Sequence, residues 1–191
     1  MRPTEERDAL PEEVAGPLRV RGIMTQAARG VLADCREAIA ELKAGVHGDV
    51  WRRRWITAIV LLRAVGHVLE RVDVRSSDAY RRAIEGAWDS LRETKPEPAI
   101  FWSFINDVRN GIVKEYDMAA GQNAIIHPPM GIINRKTGAT TSIGGKPTEY
   151  IPVINSGPFA GKLQSEVLEQ AVAWWESYLG DVDRAAGASE P

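Results

Sequence analysis

The chain of 191 residues suits one domain with its own hydrophobic core, and its 44% hydrophobic and 26% charged residues exclude general disorder. A formal net charge of -2 excludes a strongly basic chromatin-type binder. Because Cys35 is the only cysteine, an intramolecular disulfide framework and a cysteine-based zinc site are excluded as well.

Neither a secretory signal nor a membrane span is predicted. The N-terminal sequence is acidic, and the longest apolar run, residues 56–62, is far too short to cross a bilayer. We therefore expect a soluble, cytoplasmic protein without membrane contact.

Acidic residues concentrate near both ends, which leaves residues 14–165 mildly basic. This distribution favours a phosphate-bearing partner, and ordinary solvated helix faces are the alternative explanation.

Three segments are expected along the chain. Prolines and glycines without periodicity predict an irregular leader over residues 1–17. Residues 18–181 are expected to form a single helical domain. The remaining residues, 182–191, are expected to be a mobile acidic tail.

Four helices are predicted before residue 121, because apolar residues recur there at steps of three and four. They cover residues 20–46, residues 50–72, a segment from the capping sequence Ser76–Asp78 to Pro96, and residues 99–120.

The second predicted helix is apolar nearly all round between Ile56 and Leu69, which is typical of the buried centre of a bundle. One polar stripe remains on it, formed by Arg63, His67 and Glu70 or Arg71.

Residues 121–161 are rich in glycine, proline and pairs of β-branched residues, and we expect a β-hairpin or small sheet there. Strands are predicted at Ile125–Ile126, Ile132–Ile133 and Tyr150–Ile154, with a turn at Asn134–Gly138. A last helix over residues 163–179 is expected to end at Gly180. The predicted fold is mainly α, a five-helix up-down bundle with a Gly/Pro-rich β-hairpin insertion before the last helix.

The fourth predicted helix contains Arg109-Asn110, followed by Lys114 and Tyr116. Four long helices and this motif resemble the HEPN superfamily, bacterial helical-bundle proteins found as RNase toxins and defence components. In that family an Arg, usually followed by Asn, precedes a His by four to six residues, and a Tyr often lies two residues beyond the His. The resemblance implies a metal-independent site in which the Arg stabilises phosphate charge and the His transfers protons.

Lys114 stands where the family has the His. Since the reference pKa of lysine is about 10.4, an unburied lysine is a fixed cation at neutral pH and a poor proton shuttle. The resemblance therefore implies that Arg109, Asn110, Lys114 and Tyr116 bind phosphate or RNA. Arg109 and Lys114 are the catalytic candidates, with cleavage lost or greatly reduced. In a purely structural alternative, Arg109 packs on Tyr116, and Asn110, Lys114 and Asp117 form a solvated row.

His67 is a second candidate for the missing base. It would serve as one if it lay near Arg109 in space, whereas the alternative is a structural pairing with Glu70 or with a neighbouring helix.

Basic residues also lie between two aromatic residues at the start of the second helix, in the order Trp51, Arg52, Arg53, Arg54, Trp55. This pattern is typical of nucleic-acid binding. In the alternative, Trp51 and Trp55 lie one helical turn apart and only anchor the helix in the core or in a dimer interface.

No metal or cofactor is expected, because His47, His67 and His127 lack metal-ligand spacing. The sequence Gly144–Thr148 differs from a phosphate loop in lacking the first glycine, and its proline removes a needed backbone donor. Cys35 falls on the apolar face of the first helix, which favours a buried side chain over a nucleophile.

Three functional hypotheses follow. The first is a HEPN-like homodimer, non-catalytic or weakly catalytic, that binds RNA or nucleotide phosphate in a toxin–antitoxin or defence system. The second is an interaction module that contacts another protein through the β insertion and binds no nucleic acid. The third is a metal-independent endoribonuclease in which Lys114 or His67 replaces the usual base.

Overall fold

Helices dominate the residues that the computed structural model describes, which are 25–126, 130–133, 135–143 and 147–188. The five helices are α1 (Gln26–Lys43), α2 (Gly48–Arg71), α3 (Asp78–Glu93), α4 (Asp107–Glu115) and α5 (Gln164–Ala188), and a π-helical segment, Ile100–Asn106, leads directly into α4. The four strands are β1 (Ala120–Ile126), β2 (Met130–Ile133), β3 (Thr140–Ile143) and β4 (Pro147–Ile154). A mainly helical fold with five helices and a β insertion before the last one is thereby confirmed.

Some predicted features lie outside the described residues. They are the leader over residues 1–17, the start of the first predicted helix, His127, and the glycines and lysine of Gly144–Lys146. No helix within the described ranges combines membrane-spanning length with an apolar composition.

Helix α2 is the centre of the structure, as its nearly continuous apolar sequence predicts. It packs against α1, α3, α4 and α5 and buries two tryptophans together with aliphatic residues along its length. The rings of Trp51 and Trp55 stack with centroids 6.4 Å apart, and Trp55 is fully buried. Both indoles therefore anchor the start of α2 in the core.

The four strands form two antiparallel pairs. β1 pairs with β4, with Ala120 opposite Ile154, and β2 pairs with β3, with Met130 opposite Ile143. The predicted strand positions are confirmed, and β3 is an additional strand that the sequence analysis did not predict. We call the β1–β4 pair the ribbon base.

The predicted end of the last helix at Gly180 is wrong, because α5 continues to Ala188. Val182 and Ala186 are buried, so residues 182–188, predicted as part of a mobile tail, are packed against the bundle. Asp183 supplies the physical reason, since it forms an ion pair with Arg29 and accepts a hydrogen bond from the Thr25 hydroxyl. These contacts outweigh the low helix propensity of one glycine.

The predicted continuation of the fourth helix to Ala120 is also wrong. Tyr116 adopts a left-handed conformation with φ of 56°, and the backbone N–H of Asp117 donates to the carbonyl of Gly111. This pattern closes a helix without requiring a glycine at the left-handed position. The chain then turns into β1 at Ala120.

Candidate functional site

Arg109 lies on α4 on the side that faces α2. It is half-buried, and its guanidinium donates a hydrogen bond of 3.1 Å to the side-chain oxygen of Asn110. Within the described ranges it forms no ion pair with a carboxylate. Burial is the largest cause of the lowered pKa of Arg63 and of His67, and the positive charge of Arg109 lowers both further. We call these three basic residues of α2 and α4 the cationic group.

Arg63 is held by aromatic side chains. Its Cζ lies 5.7 Å from the ring centroids of both Trp88 and Phe101. Gly66 lets Trp175 approach closely, because a Cβ at that position would lie 2.9 Å from the indole and 3.0 Å from Arg63 Nη1. Burial lowers the pKa of Arg63 and Arg109 lowers it further, whereas the carboxylate of Glu70 opposes both effects.

His67 is the exposed member of the cationic group. Partial burial lowers the pKa of its imidazole, and the neighbouring charges of Arg63, Arg109 and Arg71 lower it further. A neutral imidazole near pH 7 accepts a proton, as a general base must. The alternative pairing with Glu70 is not found, because His67 has no hydrogen bond to that residue in the described structure.

Glu70 lies on α2, seven residues after Arg63. Its negative charge raises the pKa of Arg63 and also that of Tyr178 on α5, for which burial is the larger cause. Glu70 also lines a cleft of about 270 Å³ between α2 and α3, and Trp88 forms one wall of this cleft. We call this space the Trp88 cleft.

Lys114 does not join the cationic group. It is exposed in the last turn of α4 and forms no ion pair with any residue in the described ranges. Five residues of α-helix separate it from Arg109, a spacing that turns the two side chains toward different faces. A joint phosphate site of Arg109 and Lys114 stays a prediction, and the charge of Arg109 acts on Arg63 and His67.

Tyr116 ends α4 and is 65% exposed. The expected contact between Arg109 and Tyr116 does not form in the described structure, because the left-handed turn at Tyr116 removes it from the helix face. Asn110 remains beside Arg109 and orients its guanidinium.

Two of the three arginines between the tryptophans are engaged in ion pairs. Arg52 pairs with Asp49 at 3.0 Å and Arg54 with Glu41 at 2.7 Å, whereas Arg53 is exposed. Surface pairs of this kind are weak, so a phosphate group can compete for both arginines.

Cys35 lies away from the candidate site, in the core. The Cys35 thiol is fully buried on α1 and donates to the carbonyl of Ala58, and burial raises its pKa to about 12, which leaves it unreactive. Within the described ranges, no group of three or more His, Cys, Asp or Glu residues has a geometry that could hold a metal ion.

Sequence reasoning missed Arg63 and Glu70 as site residues, although both stood in the predicted polar stripe. The signal that identifies them is Gly66, which falls between them on a helix otherwise rich in large side chains.

Comparisons with protein-family models, with curated proteins and with solved structures give no significant match to this chain. The geometry of the site therefore carries the functional argument.

Proposed function

We propose that this chain is a HEPN-like protein that binds RNA through its phosphate groups at a cationic site formed by Arg109, Arg63 and His67. The observation that carries the proposal is the charge balance at Arg109. This cation forms no ion pair with a carboxylate in the described structure, and its positive charge acts on two other basic residues, Arg63 and His67. Basic residues held close together favour an anionic ligand, and a phosphate beside Arg109 supplies the negative charge that this cation lacks.

A homodimer is part of the proposal. Val60 on α2 and Val113 on α4 are exposed, at 38% and 57% respectively, on the two helices that present Arg109 and His67. A second copy seated on this face would bury both valines and bring two cationic sites into one groove, which suits a single RNA strand. The resemblance to HEPN proteins places such a dimer in a toxin–antitoxin or defence system of the cytoplasm.

The test is binding of a fluorescein-labelled single-stranded RNA, measured by anisotropy over a range of salt concentrations. Binding through phosphates weakens steeply as salt increases. Arg109→Ala is expected to lower affinity about tenfold or more at low salt, since it removes a phosphate contact and leaves Arg63 as the one permanent cation of the group. The matched control is Arg81→Ala, because Arg81 on α3 is exposed and already paired with Asp78.

Two results would overturn the proposal. One is the absence of RNA binding by the unmodified protein at low salt, which would favour an interaction module that uses the ribbon. The other is an equal loss of affinity in the Arg109→Ala and Arg81→Ala variants, which would show nonspecific attraction.

The position of His67 supports a second candidate, a metal-independent endoribonuclease. In that reaction the neutral imidazole takes the proton of a ribose 2′-hydroxyl, and the 2′-oxygen bonds to the adjacent phosphorus. The bond from phosphorus to the 5′-oxygen breaks, and the leaving oxygen takes up a proton. The products are a 2′,3′-cyclic phosphate and a 5′-hydroxyl, with Arg109 stabilising the extra negative charge.

Cleavage in the presence of a metal chelator distinguishes this second candidate from binding alone. The endoribonuclease requires that His67→Ala abolishes cleavage while RNA binding persists, and that a substrate with 2′-deoxyribose at the scissile position is inert. Cleavage that instead depends on Lys114 would assign the base to Lys114.

A further inference from the structure

We propose that a pocket beside the ribbon base binds a free aromatic α-amino acid. The ring of the ligand lies against an aromatic wall, and its carboxylate and ammonium groups bind Lys43 and Glu169 at the opening. We call this space the ribbon pocket. The inference goes beyond the proposed function, since no residue of the cationic group lines this pocket.

The ribbon pocket has the size of a small-molecule site. Its volume of about 330 Å³ lies within the range of roughly 300–1,000 Å³ that is typical of ligand pockets. Four parts of the chain meet around it: the end of α1, the first turn of α2, the ribbon base and the first turns of α5. This volume accommodates one aromatic amino acid.

Hydrogen bonds hold the walls of the pocket in place without a ligand. Gln122 on β1 accepts from the backbone N–H of Gly48 at 3.1 Å and donates to the carbonyl of Val46 at 2.8 Å. Gln164 on α5 connects Trp51 to the ribbon base. Both glutamines line the pocket, and the fold uses their amides to fix its walls. A preformed pocket of this kind requires little reorganisation on binding.

The inner wall of the pocket is aromatic and apolar. The buried indole of Trp51 forms one part, and the rings of His47 and Tyr150 form another, with their centroids 4.5 Å apart. Leu42 and Leu168 complete the wall. Aromatic side chains bind a further ring through offset or edge-to-face contacts. The wall therefore favours a ligand with a planar ring over an aliphatic ligand of the same charge.

The opening of the pocket carries one charge of each sign. Lys43 on α1 forms an ion pair with Glu169 on α5, and their side chains are 43% and 61% exposed. Both residues also border an adjacent groove between α1 and α5, which places them at the edge of the ribbon pocket. An exposed ion pair contributes little to stability, so a ligand can replace it at low cost.

The contact between these two charges decides the class of ligand. Because the ammonium of Lys43 touches the carboxylate of Glu169, the two charges are as close together as the two charges of one α-amino acid. A zwitterion gives each side chain a partner of opposite sign and so replaces one ion pair by two. A ligand with only a carboxylate leaves Glu169 unpaired, and a ligand with only an amine leaves Lys43 unpaired.

Two hydroxyl groups add hydrogen-bonding capacity. Tyr150 and Ser165 line the pocket, and neither side chain forms a hydrogen bond within the described ranges. Ser165 lies one helical turn before Glu169 on α5, so its hydroxyl is on the same side of the helix as the carboxylate. A hydroxyl both donates and accepts, and it therefore suits either charged group of the ligand.

The experiment is isothermal titration calorimetry of the purified protein with L-phenylalanine and three matched compounds. 3-Phenylpropionate lacks the ammonium group, phenethylamine lacks the carboxylate, and L-alanine lacks the ring. L-phenylalanine is expected to bind about tenfold or more tightly than each of them, because only it uses the wall and both charges.

Substitution of either charged residue should exchange the preference. Glu169→Gln is expected to lower the affinity for L-phenylalanine about tenfold and to raise that for 3-phenylpropionate, because Lys43 is then free to bind the carboxylate. Lys43→Gln is expected to lower the affinity for L-phenylalanine similarly and to raise that for phenethylamine. Tyr150→Leu removes part of the aromatic wall and should weaken all three ring-containing ligands several-fold.

Glu176→Gln is the matched control, because Glu176 forms an ion pair with Arg36 between the same two helices and does not line the ribbon pocket. Thermal melting of each variant verifies that it is folded. Absence of L-phenylalanine binding, or binding no tighter than that of its three analogues, would overturn the proposal. Equal losses of affinity in Glu169→Gln and Glu176→Gln would also overturn it. RNA binding by the same preparations tests the proposed function separately, because the two sites share no residue.

Discussion

Two buried polar regions of this molecule are built in opposite ways. At the ribbon base, Gln164 is 3% exposed and uses both ends of its amide. Its oxygen accepts from Trp51 Nε1 at 3.0 Å, and its nitrogen donates to the carbonyls of Gly121 and Val153 at 2.9 and 3.1 Å. Further along α2, four buried polar atoms lack a partner in the described structure: Arg63 Nη1, Trp102 Nε1, Trp175 Nε1 and Tyr178 Oη.

The difference lies in how completely the buried polar atoms are paired. A fully paired buried amide has no hydrogen-bonding capacity left for a ligand, so it fixes the ribbon to the bundle. Buried donors without acceptors lower the stability of the free protein, and a ligand that supplies acceptors would raise it again. Substitutions that remove a polar atom should therefore cost the free protein more stability in the first region than in the second.

The largest expected effect is at Gln164. Gln164→Leu keeps the approximate shape but leaves the buried Trp51 indole N–H without its acceptor and removes the amide's two bonds to the carbonyls of Gly121 and Val153. We expect the free energy of unfolding to fall by about 3 kcal/mol or more, measured by urea denaturation. Gln170→Leu is the control, because Gln170 is exposed on the same helix and its substitution should change stability by at most about 0.5 kcal/mol. A loss below about 1 kcal/mol at Gln164 would contradict the structural role.

A matched pair of tryptophans gives the next largest effect. Trp55 and Trp175 are both fully buried, but Trp55 Nε1 donates to the carbonyl of Met118 at 2.9 Å, whereas Trp175 Nε1 has no partner. Substitution by phenylalanine removes the same volume at each site. Trp55→Phe should therefore destabilise the protein by about 1–2 kcal/mol more than Trp175→Phe. Equal losses would show that Trp175 finds a partner in solution.

The sequence predicted the helices well because burial repeats with the helical period. The cap at Ser77, which accepts from the backbone N–H of Tyr80, and the central position of α2 were both predictable for this reason. The ends of α4 and α5 were not, because Tyr116 and Gly180 behave against their local preferences. Long-range contacts decide both ends, since β1 pairs with β4 and Asp183 binds residues of α1.

The candidate site was predicted only in part, for the same physical reason. Arg109 and Asn110 follow from a local motif, whereas Lys114 was predicted from its spacing and lies on another face. The approach of His67 and Arg63 to Arg109 depends on how α2 packs against α4. No spacing along one helix encodes that packing, although the polar stripe on α2 showed which residues were available.

The smallest expected effect concerns the protonation of His67. Burial and three arginines lower its pKa in the folded protein from the ordinary value of 6.5. The unfolded chain therefore binds a proton more readily, so stability is unaffected well above pH 6.5 and falls as the pH drops toward the folded-state pKa. His67→Gln should remove this part of the acid destabilisation, measured as melting temperature between about pH 5 and 8.

Sulfate sharpens this test, because its charge does not change over that range. Sulfate bound between Arg109 and Arg63 would favour the protonated form of His67. The stabilisation that sulfate gives should therefore increase as the pH falls in the unmodified protein, but not in His67→Gln. His47→Gln is the control, because His47 lies at the ribbon base, with its ring centroid 4.5 Å from that of Tyr150. If His47→Gln and His67→Gln gave the same pH profile, the acid response would belong to histidine titration in general. A response confined to His67 would show that the arginines on α2 and α4 act on it as one cationic group.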